Sequence, residues 1–301
     1  MIPGNITKNQ QGKPAKRRNH TVPKALLKRW LTEVDGTVGH WVLDCDTGQI
    51  AFKPGAGASF AISEFRYVPV RAPNGQTPYR DETVEDWFSQ GENDLALITG
   101  LLLNGQSLEN RGDTVGGFIQ AAILLGFRSA YEYEAFERVL ISVAPSLADD
   151  EIARRVVDHF RSAYSRKLKQ FANWDYQVVP SPSESLLVCD RPMFDMTVHR
   201  LGQEMLVIPL APSLMLVASP PSDRSRKILS FTVSDKTSSK VVTLANRFTV
   251  ERARQFIVGH PDQLKEVQPA FAALAFQARK ATDQFVVEGT ASSERVPISE
   301  F

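Results

Sequence analysis

The spacing of apolar residues changes partway along this chain, and that change restricts the folds open to it. From Val84, the positions Val84, Trp87, Phe88, Leu95, Ile98 and Leu102 recur at three and four, with Asp81 or Thr83 placed to cap the start of a helix. Phe118 to Phe127 is apolar on nearly every side apart from Gln120, the pattern of a central, buried helix. From about Ala148 to Ala172, Ile152, Val156, Phe160, Ala163, Tyr164, Leu168 and Phe171 line one face, and Ser146 with Asp149 resembles a capping box. After Trp174 the period falls towards two. Tyr176–Val179, Leu186–Cys189, Met205–Pro209 and Leu214–Ser219 read as short strands, punctuated by Pro180-Ser-Pro182 and Pro220-Pro221.

Strand signals also precede the helices. Trp41–Leu43 and Gln49–Lys53 flank Asp46-Thr47-Gly48, whose turn-forming residues predict a β-hairpin. A last helix is expected from about Val250 to Val258, capped by Thr249 and stopped by Gly259-His260-Pro261. Strands, helices, strands and helices in succession predict an α+β fold rather than alternating βαβ units. The expected sheet is mixed or antiparallel, built from the N-terminal hairpin and the C-terminal strands, and packed against a central group of helices. With 301 residues, 43% of them hydrophobic and 23% charged, the chain has the length and composition to bury a sizeable core. The organisation expected is a disordered basic tail over 1–17, one α+β domain over 18–280 and a flexible tail over 281–301.

The net charge of +1 says little, but its distribution says more. No acidic residue precedes Glu33, whereas Lys8, Lys13, Lys16, Arg17, Arg18, Lys24, Lys28 and Arg29 all do. Such an arm could approach nucleic-acid phosphates, each contact releasing counterions; it could equally be a solvated, solubilising segment. Two cysteines, Cys45 and Cys189, cannot form a disulfide framework, and no CxxC pair suggests zinc. The basic start lacks an apolar segment behind it, and no apolar run approaches the roughly 20 residues needed to span a bilayer. A cytoplasmic address without a membrane partner is expected. Phosphate-loop, dinucleotide, zincin, nucleophile-elbow and kinase motifs are absent; Gly55-Ala-Gly57-Ala-Ser59 lacks the third glycine and reads as a loop.

Several segments, in order, resemble a family of bacterial proteins, domain-of-unknown-function family 4238. His20-Thr-Val-Pro23 followed by Leu26-Leu27-Lys-Arg29-Trp30 is similar to its "HYVP" signature. Glu85 and Glu92 resemble its paired glutamates, and Leu186-Leu-Val-Cys189-Asp190-Arg-Pro192 its strand and turn. Ile208-Pro209-Leu210-Ala-Pro212 and Leu244-Ala-Asn246 with Ala253 are similar to its later motifs. Thr21 and Lys24 depart from the pattern, and only Arg128-Ser129 keeps the end of its "F-I-A-x-Q-x-x-R-T" helix. The resemblance implies a fold and no activity.

Five residues stand out as candidates for chemistry. His20 precedes Pro23 in an extended stretch and could move a proton or bind a metal, or else anchor the segment through a backbone carbonyl. Glu85 and Glu92, seven apart, would lie within about 20° on one helix, where two carboxylates repel unless they share a proton, a cation or an arginine. Asp190 closes an apolar strand, either as a presented carboxylate or as an Asx turn. Arg128 could satisfy the last carbonyls of its helix or bind an anion. Asn246 reads as a turn former or cap. His40, His159, His199 and His260 have plainer explanations. Together the five suit phosphodiester cleavage, with Glu85, Glu92 and Asp190 holding Mg²⁺ or Mn²⁺, His20 moving the proton and Arg128 offsetting charge. The alternative is a non-catalytic module that binds a ligand, nucleic acid or protein, in which the same residues form a structural network.

Overall fold

The structure is a computed structural model; it describes residues 6–271 apart from 65–66, 72–76, 90, 107, 109–110, 182–184, 199–202, 222–229 and 235–238. The expected C-terminal tail, 281–301, lies outside the described residues, as does His199. Of the expected N-terminal tail, residues 6–17 are described, and they contact the body of the protein. The Asn9 amide donates to Glu82 at 2.8 Å, the Lys16 backbone N–H donates to Glu82 at 2.6 Å, and Arg17 pairs with Glu64 at 2.9 Å.

The chain opens with strand β1 (Arg18–His20) and a single helical turn, α1 (Lys24–Leu27), which begins directly after Pro23. Strands β2 (Thr32–Val34), β3 (Thr37–Asp44) and β4 (Ile50–Pro54) follow. Asp35 and Gly36 both have positive φ, 49° and 74°, the conformation an Asp-Gly turn between twisted strands requires. The second hairpin, β3–β4, is the one expected around Asp46-Thr47-Gly48, with Val42 opposite Ala51. Asp44 fixes its turn, one carboxylate oxygen accepting from the backbone N–H groups of Asp46 and Thr47. Short strands β5 (Ile62–Glu64), β6 (Val70–Arg71) and β7 (Tyr79–Arg80) lead into the helices.

The helical segment is α2 (Thr83–Ser89), α3 (Glu92–Leu103), α4 (Gly112–Leu124), α5 (Ala130–Val143) and α6 (Asp149–Phe171). The period that suggested one helix from Val84 to Leu102 belongs to two. Gly91 separates them, and its missing side chain is what lets this corner lie against Ala121 of α4, whose Cα would be 3.0 Å from any added Cβ. In α6 the buried residues Ile152, Val156, Phe160, Tyr164 and Phe171 fall on the expected stripe. Its N-cap is Ala148 and no side chain caps it, so Ser146 and Asp149 do not form the expected box.

The C-terminal strands are β8 (Asp175–Pro180), β9 (Val188–Cys189), β10 (Phe194–Val198), β11 (Gln203–Ala211), β12 (Leu214–Ser219) and β13 (Ser230–Val233), followed by α7 (Ser239–Arg252), β14 (Phe256–Val258) and α8 (Pro261–Val267). They do not all share one sheet. One five-stranded sheet has the order β10-β11-β12-β8-β13, antiparallel except for the parallel β8–β13 pair. In the second, β2-β3-β14-β9 with β4 on β3, the N-terminal hairpin meets two C-terminal strands. The fold is α+β. The register of β11 on β12 shifts between Pro209 and Ala211, where proline cannot donate to the ladder.

The last helix differs from expectation. The helical turn ends at Arg252, and residues 256–258 are extended because they pair with both β3 and β9. Thr249 lies inside α7, bonded to the Ala245 carbonyl, and is no cap. His260 is the N-cap of α8 rather than a stop, its ring accepting from the Asp262 N–H.

Strand residues alternate between two apolar clusters. Val42, Val178, Leu206, Ile208, Leu216, Val188, Phe256 and Val258 face the cluster built with α1–α6. Their neighbours Leu43, Val179, Val207, Met215, Cys189 and Ile257 face the cluster built with α7 and α8. At these positions both faces are buried, which explains strands richer in apolar residues than a one-sided sheet needs.

Candidate functional site

The His20 segment is held as a strand edge and then turned by proline. In β1, Asn19 pairs with Ser63 and His20 with Ile62 of β5. Alternation sends Asn19 fully inside while His20 is half-buried on the other face. The next residue is locked twice to the Ala61 carbonyl, through the Thr21 N–H at 2.8 Å and its hydroxyl at 3.1 Å. The His20 ring Nε2 lies 3.2 Å from the Gly57 carbonyl, so in the neutral ring that nitrogen is the donor. Ala58, beside it, adopts a left-handed φ of 46°, a conformation an alanine rarely takes. Burial, and after it the nearby Arg128 charge, lowers the His20 pKa; the Gly57 carbonyl and Glu92 oppose the shift.

Arg128 follows α4 and a short 3₁₀ turn over Leu125–Phe127 and is only 3% exposed. Its Nε donates to the His20 carbonyl at 2.7 Å and one terminal nitrogen reaches the Phe88 carbonyl at 3.5 Å. That nitrogen also pairs with Glu92, the other lies 3.4 Å from Glu85 Oε1, and the guanidinium stacks over the Phe88 ring. The Arg128 carbonyl accepts the Tyr67 hydroxyl. One arginine thus ties together β1, α2 and α3.

Glu85 and Glu92 meet, though not on one helix: Glu85 belongs to α2 and Glu92 opens α3. Of the ways two neighbouring carboxylates can coexist, this molecule uses an arginine. The guanidinium pairs with both and supplies the positive charge a shared cation would otherwise bring. Burial raises the Glu85 pKa; Arg128 pulls it back and Glu92 pushes it up. The Asn19 amide lies close enough to favour the charged form slightly, yet among the described residues neither of its polar atoms, nor Glu85 Oε2, completes a hydrogen bond.

Asp190 is not brought to these residues. Its carboxylate is fully buried, and Oδ1 accepts from the backbone N–H groups of Arg254 at 2.9 Å and Gln255 at 3.2 Å. Its own N–H donates to the Phe256 carbonyl at 3.3 Å. The strand-end carboxylate therefore fastens the α7–β14 connection to β9 and faces no solvent. Burial raises its pKa while the two N–H groups oppose the shift. The expected grouping of Glu85, Glu92 and Asp190 is corrected here: two share Arg128 and the third is sealed elsewhere. Among the described residues, no three of His, Cys, Asp and Glu gather in a way that could hold a metal ion.

Other motif residues also join segments. Trp30 Nε1 donates to the Leu186 carbonyl at 2.8 Å. Asn246, on α7 rather than before a helix, accepts from the Leu187 N–H at 2.9 Å and donates to the Ser185 carbonyl at 2.7 Å. His40 is buried against the Leu27 carbonyl, and His159 stacks on Phe136 at 3.8 Å. Sequence reasoning missed Asn19; the signal was there, since a residue beside His20 in a strand must face the opposite way. It also missed a cavity of about 370 Å³ lined by Thr21, Lys53, Ala130, Glu134, Gln255 and Phe256 among others. Its walls include Thr21 next to His20, Ala130 at the start of α5, and Gln255 of the Asp190 clasp.

Fold and site together define an α+β protein whose scattered polar motifs converge on buried junctions beside a small cavity. The chain belongs to the family described as a protein of unknown function, DUF4238, which matches residues 18–263. No curated protein and no solved structure matches it. Among the described residues, no helix is long and apolar enough to cross a membrane.

Proposed function

We propose that this protein is a non-catalytic binding module in which His20, Glu85, Glu92, Arg128 and Asp190 are architectural. The observation that carries this is the way their polar atoms are engaged. Arg128 is turned inward onto two carboxylates and two carbonyls, and Asp190 onto two backbone N–H groups. A group that must act on a substrate needs access, and these two have almost none. The ligand would enter the adjacent cavity, which offers both signs of charge through Asp46, Glu134 and Lys53. Nucleic acid held by the basic arm is a weaker partner, because Lys16 and Arg17 already pair with Asp86 and Glu64. A cytoplasmic address accords with two buried thiols.

A metal-dependent nuclease or phosphodiesterase, in a defence or toxin setting, is the second reading. What favours it is the half-buried His20 imidazole together with the Asn19 amide and Glu85 Oε2, which find no hydrogen-bond partner among the described residues. Purified protein incubated with RNA and with DNA, in Mg²⁺, in Mn²⁺ and in EDTA, separates the two. The binding reading expects no cleavage, and lower melting temperatures for His20→Ala and Asp190→Asn. Metal-dependent cleavage that those substitutions abolish, with melting unchanged, would establish the nuclease instead.

A further inference from the structure

A second polar cluster lies at the start of α5 and is not part of the Arg128 junction. Arg191 follows β9, Arg252 ends α7, and Arg254 lies in the connection to β14, so three segments bring guanidiniums to one place. The first turn of α5 meets them with Tyr131 and Glu132. Arg191 and Arg254 stand over the Tyr131 ring, at 5.3 Å and 5.7 Å from its centre. Glu132 pairs with Arg191 and is also the carboxylate that Arg252 reaches, at 3.9 Å. Arg191 further donates to the Arg252 carbonyl at 3.4 Å, and Arg254 to the carbonyls of Glu251 at 2.7 Å and Ala253 at 2.9 Å.

Arg252 is poorly served by this arrangement. Its Nε is buried with no acceptor among the described residues, and its ion pair with Glu132 is long and shared. The Arg191 and Arg254 charges crowd it further. The guanidinium is therefore only partly engaged by this chain's own oxygens. The Arg252 side chain is 33% exposed and that of Arg191 14%, so the cluster opens to solvent on the side of Arg252. The first backbone N–H groups of α5, a helix of 14 residues, add positive potential at the end that carries Tyr131 and Glu132.

We propose that Arg252, with Arg191, Arg254 and the N-terminal turn of α5, forms a binding site for a phosphate group. Phosphate suits it for geometric reasons. A tetrahedral oxyanion presents several acceptors to planar guanidinium forks approaching from different directions, whereas one carboxylate presents two. The phosphate is free, or it is the terminal group of a nucleotide. The site goes beyond the binding reading above, since its guanidiniums lie outside the Arg128 junction.

The test uses the full chain at low, constant ionic strength, with inorganic phosphate and adenosine 5′-monophosphate as probes and chloride as control. Binding is read by calorimetry and melting temperature. Either probe should bind, and Arg252→Gln should weaken it about tenfold or more, as expected for loss of a charged hydrogen-bonding partner. Tighter binding of the nucleotide would assign the site to a phosphomonoester, and equal binding to the bare anion. Glu132→Gln removes the competing carboxylate and should tighten binding while lowering the melting temperature, a pairing that a purely structural cluster would not give. No binding of either probe, or binding unchanged in Arg252→Gln, would overturn the proposal; if Arg252→Gln does not fold, unchanged or weaker binding by Glu132→Gln does so. Failure of the non-catalytic reading would appear separately, as metal-dependent turnover.

Discussion

Arg128 donates from Nε to the backbone carbonyl of His20 at 2.7 Å, across 108 positions of sequence. The contact uses the histidine's backbone rather than its ring, so Arg128 fixes where β1 runs. The same guanidinium then binds Glu85 and Glu92 and seals the corner between α2 and α3.

Removing that guanidinium leaves carboxylates behind with no cation. Arg128→Met is expected to cost about 3–5 kcal/mol, the usual result of breaking a buried pair from one side. Adding Glu85→Gln and Glu92→Gln to it should restore part of the loss. Urea denaturation of the single and triple variants checks both; a neutral single substitution would contradict the architectural role.

Asp190 should distinguish shape from charge. Asp190→Ala strands the N–H groups of Arg254 and Gln255 and should cost about 1–3 kcal/mol. Asp190→Asn keeps an oxygen for both and should cost less. Equal losses from the two would show that the hydrogen bonds are not what matters.

Acid stability should carry two opposed contributions. Burial raises Glu85 above its ordinary 4.5, so its contribution is full below that value and lost as the pH rises through the folded pKa. Burial lowers His20 below 6.5, so its contribution is full above that value and lost as the pH falls through the folded pKa. Glu85→Gln should therefore flatten the decline on the rising side, and His20→Gln the decline on the falling side. Urea midpoints from about pH 4 to about pH 8 measure both.

Two glycines should respond differently to alanine. At Gly91 a methyl would overlap Ala121, a short side chain on a helix with little room to move. The expected cost is about 1–3 kcal/mol. At Gly126 the obstacle is the flexible tip of Met193, and a smaller cost is expected. Thermal unfolding of Gly91→Ala and Gly126→Ala compares them.

The two thiols should be inert in the folded protein. Cys45 and Cys189 are buried, and burial pushes Cys189 up to about 12, with Asp190 adding to the shift. A thiol reagent should label neither until denaturant is added.

The α+β class, the β3–β4 hairpin and the apolar stripe of α6 were legible in the sequence because each depends on local spacing. The corner at Gly91 was not. The three-and-four pattern runs through it, and the close approach of Ala121 at Gly91 comes from packing distant in sequence. Residues 256–258 were misread as helix for a related reason. A short apolar run has no decisive period, and its strand pairing comes from β3 and β9, both far away in sequence. For the site, the pairing of Glu85 with Glu92 and the role of an arginine were accessible from charge alone. The isolation of Asp190 was not, since its partners are backbone N–H groups that no side-chain motif announces. The arginine cluster escaped notice because Arg191 lies in a motif read for Asp190, and Arg252 and Arg254 in a stretch read as helix.

The alternation of strand residues between two apolar clusters has a consequence for how this sequence can change. One extra or missing residue within β3, β8, β11 or β14 would hand Leu43, Val179, Val207 or Ile257 to the opposite layer, and hand its neighbour back in exchange. With apolar residues packed on both sides at these positions, both layers would lose their fit at once. Length variation is tolerable only in the connections, so these strands act as fixed rulers along which the rest of the protein is measured.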